Sequence, residues 1–305
     1  MTRGAPAAPG TSGRSGPHTP PVRRAGVVGH PVAHSLSPVL HGAAYRTLGL
    51  DGWSYDAIDV PDGELAAWLS GCGPEWAGLS VTMPHKKAAL ALADVTDPLA
   101  ATVGAANTLV LQGAGAGRLV VAANTDVHGV AQAVREVRGA DPATSAVVLG
   151  AGGTAAAGLA ALAELGVTSP VVCVRSSARA ADLLQAAHRM GVDLTLRRFD
   201  QAARFILGAD IVLQAAVAGA ADPVAAGLTA ELARSGARLR PDQVLLDAIY
   251  DPWPTALARA WEDCGGCVAP GWLMLLHQAV EQVRLMTGVP APVDAMRAAL
   301  VAALP

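Results

Sequence analysis

Residues 25–125 alternate between short apolar runs and stretches in which apolar residues recur at helical spacing. Short apolar runs that end at Gly, Pro or polar residues are typical of strands, and the longer spacing is typical of helices. The predicted strands are 25–29, 53–60, 78–82 and 119–123, with helices after Ser37 and at 63–69 and a helix-turn-strand passage at 94–108. Because strands and helices alternate, the pattern predicts a three-layer α/β domain.

The alternation continues beyond residue 146 with a stronger strand signal. Residues 146–149 are all apolar, and they lead directly into Gly150 and an alanine-rich helix that ends near Gly166. Further strands are predicted at 171–174, 193–196, within 209–219 and at 244–247, and a long helix is predicted at 271–286. The pattern therefore predicts a second α/β domain of the Rossmann-like type.

The composition narrows the possible ligands and compartments. Residues 1–24 are rich in Pro, Gly, Ser, Thr and Ala without apolar periodicity, so a disordered tail is expected. A net charge of -3 argues against a general nucleic-acid surface. The longest uncharged run, 142–163, is interrupted by glycines, which favours a strand, turn and helix over a membrane span. Four cysteines without a secretory signal indicate the reducing cytoplasm, and no metal site is expected.

The only two lysines of the chain, Lys86 and Lys87, stand side by side after the predicted strand 78–82. All other basic side chains are arginines, which stay protonated at any working pH. An amine can be tuned to give and take a proton, so Lys86 is a candidate acid–base group. The structural alternative is a pair of solvated charges at the start of a helix.

The segment Gly150-Ala-Gly-Gly-Thr-Ala155 has the Gly-x-Gly-x-x-Ala spacing of dinucleotide-binding loops. In such loops the first glycine, here Gly150, makes the tight turn, and the second, Gly152, lets the backbone approach the pyrophosphate. Gly153 belongs to the same loop, and Ala155 permits close packing of the helix. A strand before the loop and a helix after it make this prediction specific.

The predicted strand 171–174 ends where NAD-binding proteins carry an acid for the ribose 2'-hydroxyl. This chain has Arg175, Ser176 and Arg179 there, and no acid. Guanidinium groups and hydroxyls suit a 2'-phosphate, so the sequence predicts NADP rather than NAD. The alternative is a pair of surface arginines at a helix start.

Polar residues gather where the strands of the first domain end. Asn107 and Asp126 lie in the clusters Asn107-Thr108 and Asn124-Thr125-Asp126, and Ser35 precedes a helix at which Ser37 is the expected N-cap. Because ligand sites form at the carboxyl ends of strands, we expect these groups around one small ligand. Their mixture of amides, hydroxyls and a carboxylate suits a polyol or hydroxy acid that exchanges hydride with a nicotinamide cofactor.

These motifs together resemble those of the shikimate dehydrogenase family. The matching segments, in family order, are Gly29-His-Pro-Val-Ala-His-Ser-Leu-Ser-Pro38, Val81-Thr-Met-Pro-His-Lys86, Gly104-Ala-Ala-Asn-Thr108, Asn124-Thr-Asp126, Gly150-Ala-Gly-Gly153, Tyr250-x-Pro-x-x-Thr255 and Gly271-x-x-Met274-x-x-x-Gln278. The resemblance covers residues 26 to about 290. It implies NADP-linked interconversion of 3-dehydroshikimate and shikimate, a step of chorismate and aromatic amino-acid biosynthesis.

The resemblance also implies a role for each matched residue. Lys86 and Asp126 are the implied catalytic pair. The implied substrate contacts are Ser35, Ser37, Thr82, Asn107, Tyr250 and Gln278, and Gly271 and Met274 join the cofactor residues named above. The implied domains are 25–125 for the substrate and catalysis, 126–268 for NADP, and 269–305 as helices that return to the first domain. The substrate would then lie in a cleft that closes about a hinge, in a monomer or homodimer.

Several positions depart from the family pattern, and other functions stay open. Ser80 replaces the usual Asn, Val174 replaces an Asn before Arg175, and Gln214-Ala-Ala216 replaces Asn-Ala-Thr near the nicotinamide side. One alternative is a dehydrogenase that acts on quinate as well as shikimate, or on an amino analogue of shikimate. A more remote alternative is an NADP-binding regulatory protein that has lost catalysis.

Overall fold

The computed structural model describes residues 22–113, 117–139 and 142–304, except for the side chain of Arg179. All but the last three residues of the expected tail therefore lie outside the described residues. Within the described ranges the protein is built on two sheets of six strands each. The predicted fold class is confirmed: an α/β protein with a three-layer domain, a Rossmann-like domain and C-terminal helices that return to the first domain.

The first sheet is mixed, and its direction changes bring several strand ends together. Its elements are β1 (Arg23–Gly29), α1 (Ser37–Thr47), β2 (Trp53–Asp59), α2 (Leu65–Ser70), β3 (Trp76–Val81), α3 (Lys86–Ala91), β4 (Val95–Thr96), α4 (Pro98–Val103), β5 (Thr108–Gln112) and β6 (Leu119–Ala123). The strands lie in the order β2-β1-β3-β5-β6-β4. β5 is antiparallel to β3 and β6, so its first residue, Thr108, pairs with Ser80 near the end of β3 and with Ala123 at the end of β6. The residues just before β5 thus lie at the edge where β3 and β6 end.

The second sheet is wholly parallel and has the strand order of a Rossmann fold. The chain reaches it through α5 (Asp126–Arg138) and continues as β7 (Ala146–Leu149), α6 (Gly153–Glu164), β8 (Val171–Val174), α7 (Ala181–Met190), β9 (Thr195–Arg198), α8 (Ala202–Ile206), β10 (Ile211–Gln214), α9 (Asp222–Ser235), β11 (Val244–Asp247), α10 (Ala256–Asp263) and β12 (Cys267–Pro270). Short 3-10 turns cover Ser177–Ala180 and Phe199–Gln201. The order is β12-β11-β10-β7-β8-β9. Successive residues of β7, Val147 and Val148, belong to different core clusters, so both faces of this sheet are covered.

Several strand predictions differ from the structure at their ends; β3, for example, spans Trp76–Val81 rather than 78–82, and β5 begins where the predicted passage 94–108 ends. Two short strands, β4 and β12, were not predicted. β1 begins at Arg23 rather than Ala25, because Arg23 N–H donates to Gly52 O at 2.8 Å and Arg24 lies over the Trp76 ring, 4.6 Å from its centroid. β9 lies two residues later than predicted. β12 was not predicted because its four residues, which follow two glycines, are too few to show a periodic pattern. They form a strand because they pair with β11.

The prediction that Ser37 is the N-cap of α1 is wrong. Ser37 is the first residue of the helix, and the N-cap position belongs to Leu36, whose side chain makes no capping hydrogen bond. The Ser35 hydroxyl instead accepts a hydrogen bond from the Ser37 N–H at 3.3 Å. The sequence correctly predicted a helix start beside Pro38. It did not predict the hydrogen bond of Ser35, because that bond depends on the backbone turn before the helix.

The two domains are joined by α5 and by α11 (Gly271–Thr287), which cross closely. A Cβ atom at Gly129 of α5 would lie only 2.7 Å from the Met274 carbonyl oxygen of α11, so a glycine is required at the crossing. Beyond the crossing, Leu276, Ala279 and Val283 of α11 pack against α1 and α12 (Val293–Ala303). The chain thus leaves the second sheet and ends on the first domain, with Gln278 beside the start of α5.

Helix α6 also packs close to the second sheet at Gly158, three residues after the buried Ala155. A Cβ atom at Gly158 would lie 2.0 Å from Leu213 Cδ2. We therefore expect Gly158→Val to overpack this contact and to cost about 1–3 kcal/mol of stability. The fall in melting temperature measures the effect, and an unchanged melting temperature would show that Leu213 can move aside freely.

Candidate active site

A cavity of about 370 Å³ lies where the two domains meet. All eight residues that the sequence analysis assigned to catalysis or substrate line it: Ser35, Ser37, Thr82, Lys86, Asn107, Asp126, Tyr250 and Gln278. They come from α1 and the loop before it, from the residues that follow β3 and β11, from the residue before β5, and from the helices α3, α5 and α11. The structure thus brings together residues that are spread over most of the chain.

Lys86 and Asp126 form an ion pair inside this cavity. Each is the first residue of a helix, Lys86 of α3 and Asp126 of α5, and Lys86 Nζ lies 2.5 Å from Asp126 Oδ2. The Asp126 side chain is 7% exposed and that of Lys86 is 21% exposed, so the pair is largely shielded from water but still reached from the cavity. A charge-assisted hydrogen bond in such surroundings holds both groups in a fixed geometry. The pair can therefore pass a proton to or from a ligand at a defined position.

Asn107 orients the Asp126 carboxylate. Its Nδ2 donates to Asp126 Oδ1 at 2.8 Å, opposite the oxygen that binds Lys86, and also to Thr125 Oγ1 at 2.9 Å. Its Oδ1 accepts from the Thr125 N–H at 2.7 Å, while Gln278 Oε1 lies 3.4 Å from Nδ2. Asn124 Oδ1 accepts from the Asp126 N–H at 3.1 Å. The two polar clusters of the sequence are thus one hydrogen-bonded group.

The cavity wall also contains polar residues that sequence reasoning missed. Gln282 lines the cavity and is buried. Its Oε1 accepts from Ser80 Oγ at 2.7 Å, and Ser80 Oγ in turn accepts from the Tyr55 hydroxyl at 2.6 Å. His41 Nε2 lies 3.4 Å from the same oxygen. Gln282 follows Gln278 by four residues on α11, so helical spacing places both on one face. That spacing was the available signal for Gln282, whereas Tyr55 and His41 carried none.

A larger cleft of about 960 Å³ adjoins this cavity and contains the dinucleotide-binding loop. Gly150 has φ +116, a conformation that favours glycine, and its Cβ would lie 3.1 Å from the backbone at Ala215. Among the described residues, no atom outside Gly152 and its two chain neighbours lies within 4 Å of a Cβ position at Gly152, so the loop is open for a ligand at that point. At Gly153 the nearest such atom is Lys86 Cδ, at 3.8 Å. The loop and the Lys86–Asp126 pair therefore share one site.

The predicted NADP contacts, apart from Ala155 and Arg179, are distributed over three openings. Arg175 and Ser176 line both the large cleft and a neighbouring opening of about 570 Å³, to which β9 adds Arg197 and Arg198. The side chain of Arg179 lies outside the described residues. Ala155 is buried within α6. Gly271 and Met274 line the smaller cavity beside the acid–base pair.

The comparisons with known proteins identify the family. Residues 27–109 match the family model of the shikimate dehydrogenase substrate binding domain, and residues 271–301 match that of the shikimate 5'-dehydrogenase C-terminal domain. A shikimate dehydrogenase (NADP(+)) of Rubrobacter xylanophilus is 39% identical over 280 residues, which cover 90% of this chain and 94% of that protein. The chain belongs to the shikimate dehydrogenase family.

Solved structures of the family agree with this placement. The crystal structure of Mycobacterium tuberculosis shikimate dehydrogenase has a TM-score of 0.80 and 46% sequence identity, covering 92% of this chain and 99% of that one. Shikimate 5-dehydrogenase from Thermus thermophilus, solved in complex with NADP(H) and shikimate, has a TM-score of 0.76 and 32% identity over 92% of this chain and 100% of that one.

Two features of this shikimate dehydrogenase family member have local structural reasons. Gln214, at a departure from the family pattern, is buried, and its amide bonds to its own loop: Oε1 accepts from the Ala216 N–H at 2.7 Å and Nε2 donates to the Ala216 carbonyl at 3.2 Å. It therefore closes the loop that borders Gly150. In the Tyr250-x-Pro-x-x-Thr255 motif, the Thr255 hydroxyl donates to the buried Asp247 carboxylate at 2.6 Å. Burial raises the pKa of Asp247, and the hydrogen bond from Thr255 offsets only part of this rise. The same hydrogen bond fixes the loop that presents Tyr250.

Within the described ranges, no helix combines the length and the apolar character needed to cross a membrane.

Proposed function

We propose that the protein is an NADP-dependent shikimate dehydrogenase that interconverts shikimate and 3-dehydroshikimate. One observation carries the proposal: the Lys86–Asp126 pair, with Nζ and Oδ2 2.5 Å apart, faces a polar cavity that adjoins a dinucleotide-binding loop. The names of relatives of high coverage support both the substrate and the cofactor. On this basis the protein acts in chorismate and aromatic amino-acid biosynthesis.

The residues of the second domain fit NADP. The positive φ of Gly150 and the open space at Gly152 leave room for a pyrophosphate at the start of α6, a helix of twelve residues whose first residue, Gly153, lines the cleft. Arg175 and Ser176 at the end of β8 supply a cation and a hydroxyl for a 2'-phosphate. The one acid among the described residues of the neighbouring opening, Asp200, is paired with Arg198. When bound, NADP would supply the hydride acceptor for the substrate carbinol, and NADPH would supply the hydride donor for the ketone.

Lys86 and Asp126 handle the proton that accompanies this hydride. In the oxidative direction the substrate hydroxyl gives its proton to the pair, and in the reductive direction the pair gives the proton back to the carbonyl oxygen. Asn107 holds Asp126 from the other side, so the acceptor oxygens do not rotate. We assign six residues to the substrate: Ser35, Ser37, Thr82, Asn107, Tyr250 and Gln278. We assign to the cofactor the loop residues Gly150, Gly152, Gly153 and Ala155, together with Arg175, Ser176, Arg179, Gly271 and Met274.

The decisive experiment is the reduction of NADP and of NAD with shikimate and with quinate as separate substrates, followed by the absorbance of the reduced cofactor. We expect turnover with NADP and shikimate. Turnover with NAD and quinate would reject the proposal in favour of a catabolic enzyme. Tight binding of NADPH without turnover of shikimate, quinate or the amino analogue would indicate a regulatory protein.

We further propose that residues 25–125 hold the substrate, 126–268 hold NADP, and 269–305 pack on the first domain. The contacts of Leu276 and Val283 with α1 support the last assignment. We also propose a cytoplasmic location, since all four cysteines are free. A monomer or homodimer is expected, which sedimentation of the purified protein would test.

Replacing Arg175 tests the choice of cofactor. We expect Arg175→Ala to raise the KM for NADP by about 10- to 100-fold, since a charge-assisted hydrogen bond contributes about 1.5–3 kcal/mol. The KM for shikimate should stay nearly constant. Arg234→Ala is the control, because this exposed arginine pairs with Glu231 on α9, outside the openings that Arg175 lines. Equal rises in both KM values for Arg175→Ala would count against a 2'-phosphate contact.

A further inference from the structure

The wall of the substrate cavity contains a group of buried, hydrogen-bonded polar side chains whose presence the catalytic pair does not explain. Gln282, 1% exposed, lies at its centre. Its Oε1 accepts from Ser80 Oγ at 2.7 Å, and its Nε2 donates to Thr108 Oγ1 at 3.0 Å and to the Asn107 main-chain carbonyl at 3.2 Å. Both Ser80 and Gln282 line the cavity. Gln282 therefore uses its whole amide within the protein, at the wall where a ligand would bind.

The orientation of the Gln282 amide is fixed by its neighbours. A main-chain carbonyl can only accept, so the Gln282 group beside Asn107 O must be the NH2. The Thr108 hydroxyl cannot reverse this bond, because it donates to Asn107 Oδ1 at 2.9 Å. That atom is an oxygen, since the main-chain N–H of Thr125 donates to it at 2.7 Å. Gln282 Oε1 must consequently face Ser80.

This orientation determines what Ser80 can offer to a ligand. The single hydroxyl proton of Ser80 is used in the bond to Gln282 Oε1. The Tyr55 hydroxyl, 2.6 Å from Ser80 Oγ, must then donate to Ser80 and occupies one of its two lone pairs. One lone pair remains. Ser80 is therefore an acceptor, and not a donor, towards a molecule in the cavity.

His41 supports the same orientation of the Gln282 amide. Its ring stacks on Tyr55 with centroids 3.9 Å apart, and its Nε2 lies 3.4 Å from Gln282 Oε1. Burial lowers the pKa of His41 to about 3, so the ring is neutral and carries one proton. Because Oε1 only accepts, that proton is on Nε2, and Nδ1 accepts from the Tyr45 hydroxyl at 3.4 Å. A second donor thus points at the oxygen that binds Ser80.

We propose that Gln282 is a positioning residue that makes Ser80 an acceptor-only group and thereby selects a substrate with a hydrogen-bond donor at this point. The inference rests on the proposed function, because a ring hydroxyl of shikimate that does not react would supply the donor. An ammonium group there would also bind, whereas fluorine would meet a lone pair. An asparagine at position 80 could both donate and accept, so Ser80 with Gln282 narrows the choice.

The test uses shikimate analogues in which each non-reacting ring hydroxyl is replaced in turn by an amino group or by fluorine. At one ring position we expect kcat/KM for the amino analogue to exceed that for the fluoro analogue by about 100-fold or more, as in sites that bind a substrate donor. Gln282→Met keeps the side-chain length but removes the amide, which frees the Ser80 proton. The ratio should then fall to about tenfold or less, as Ser80 can donate to fluorine.

Two further variants separate positioning from packing. Ser80→Ala removes the acceptor and should also bring the ratio down, which provides a second measurement if Gln282→Met folds poorly. Glu281→Gln, next to Gln282 on α11 but paired with Arg284 at 2.8 Å, should leave the ratio unchanged. Equal kcat/KM for the two analogues at every ring position, or an unchanged ratio in Gln282→Met, would overturn the inference. Turnover of shikimate itself tests the proposed function independently of these ratios.

Discussion

Lys86→Ala should lower kcat by about 100- to 10,000-fold, the usual contribution of a positioned acid–base group. The amine is the group that contacts Asp126 Oδ2 at 2.5 Å and faces the cavity, and no other lysine reaches it. Lys86→Arg should be nearly as inactive, because a guanidinium keeps the charge but does not release its proton. Shikimate binding, measured by calorimetry, should remain detectable in both variants.

Lys87→Ala is a matched control for this prediction. Lys87 is the adjacent residue, but its side chain is 67% exposed and pairs with Asp182 of the second domain. Its removal deletes one surface ion pair, so kcat should stay close to that of the unaltered protein. If Lys86→Ala retained near-normal turnover, the acid–base role would belong to another group.

Asp126→Asn should lower kcat by about 100- to 10,000-fold as well, since it removes a partner of the acid–base group. The two Asp126 oxygens accept from Lys86 Nζ and from Asn107 Nδ2. An asparagine has one oxygen and one NH2, so one of these donors would face another donor. The variant should therefore lose the geometry of Lys86 as well as the negative charge, while the KM for NADP changes little.

The same substitution at Asp182 is the control for Asp126→Asn. Asp182 also pairs with a lysine, but its side chain is 68% exposed on α7. Asp182→Asn should therefore leave turnover intact. A fall in kcat of equal size in both variants would mean that ion pairs between the domains, rather than the catalytic pair, limit turnover.

Ser35 and Ser37 show that local spacing predicts the location of a site better than its hydrogen bonds. Their spacing before Pro38 predicted two hydroxyls at one ligand site, and both line the cavity. The same spacing predicted that Ser37 caps α1, which is wrong because the helix begins at Ser37 itself. A pattern of residue types thus located the site, whereas the hydrogen bond of each hydroxyl depended on backbone geometry.

The sequence by itself determined the fold class, the dinucleotide-binding loop and the family, because these depend on periodic apolar runs and on residues close together in the chain. The tertiary structure decided which distant groups meet. The antiparallel β5 places Asn107 and Thr108 beside Ser80, and the crossing of α5 and α11 at Gly129 brings Gln278 and Gln282 to the same wall. Strand direction and helix crossing follow from packing over the whole domain, so no local pattern of residues could have shown that Gln282 fixes the proton of Ser80.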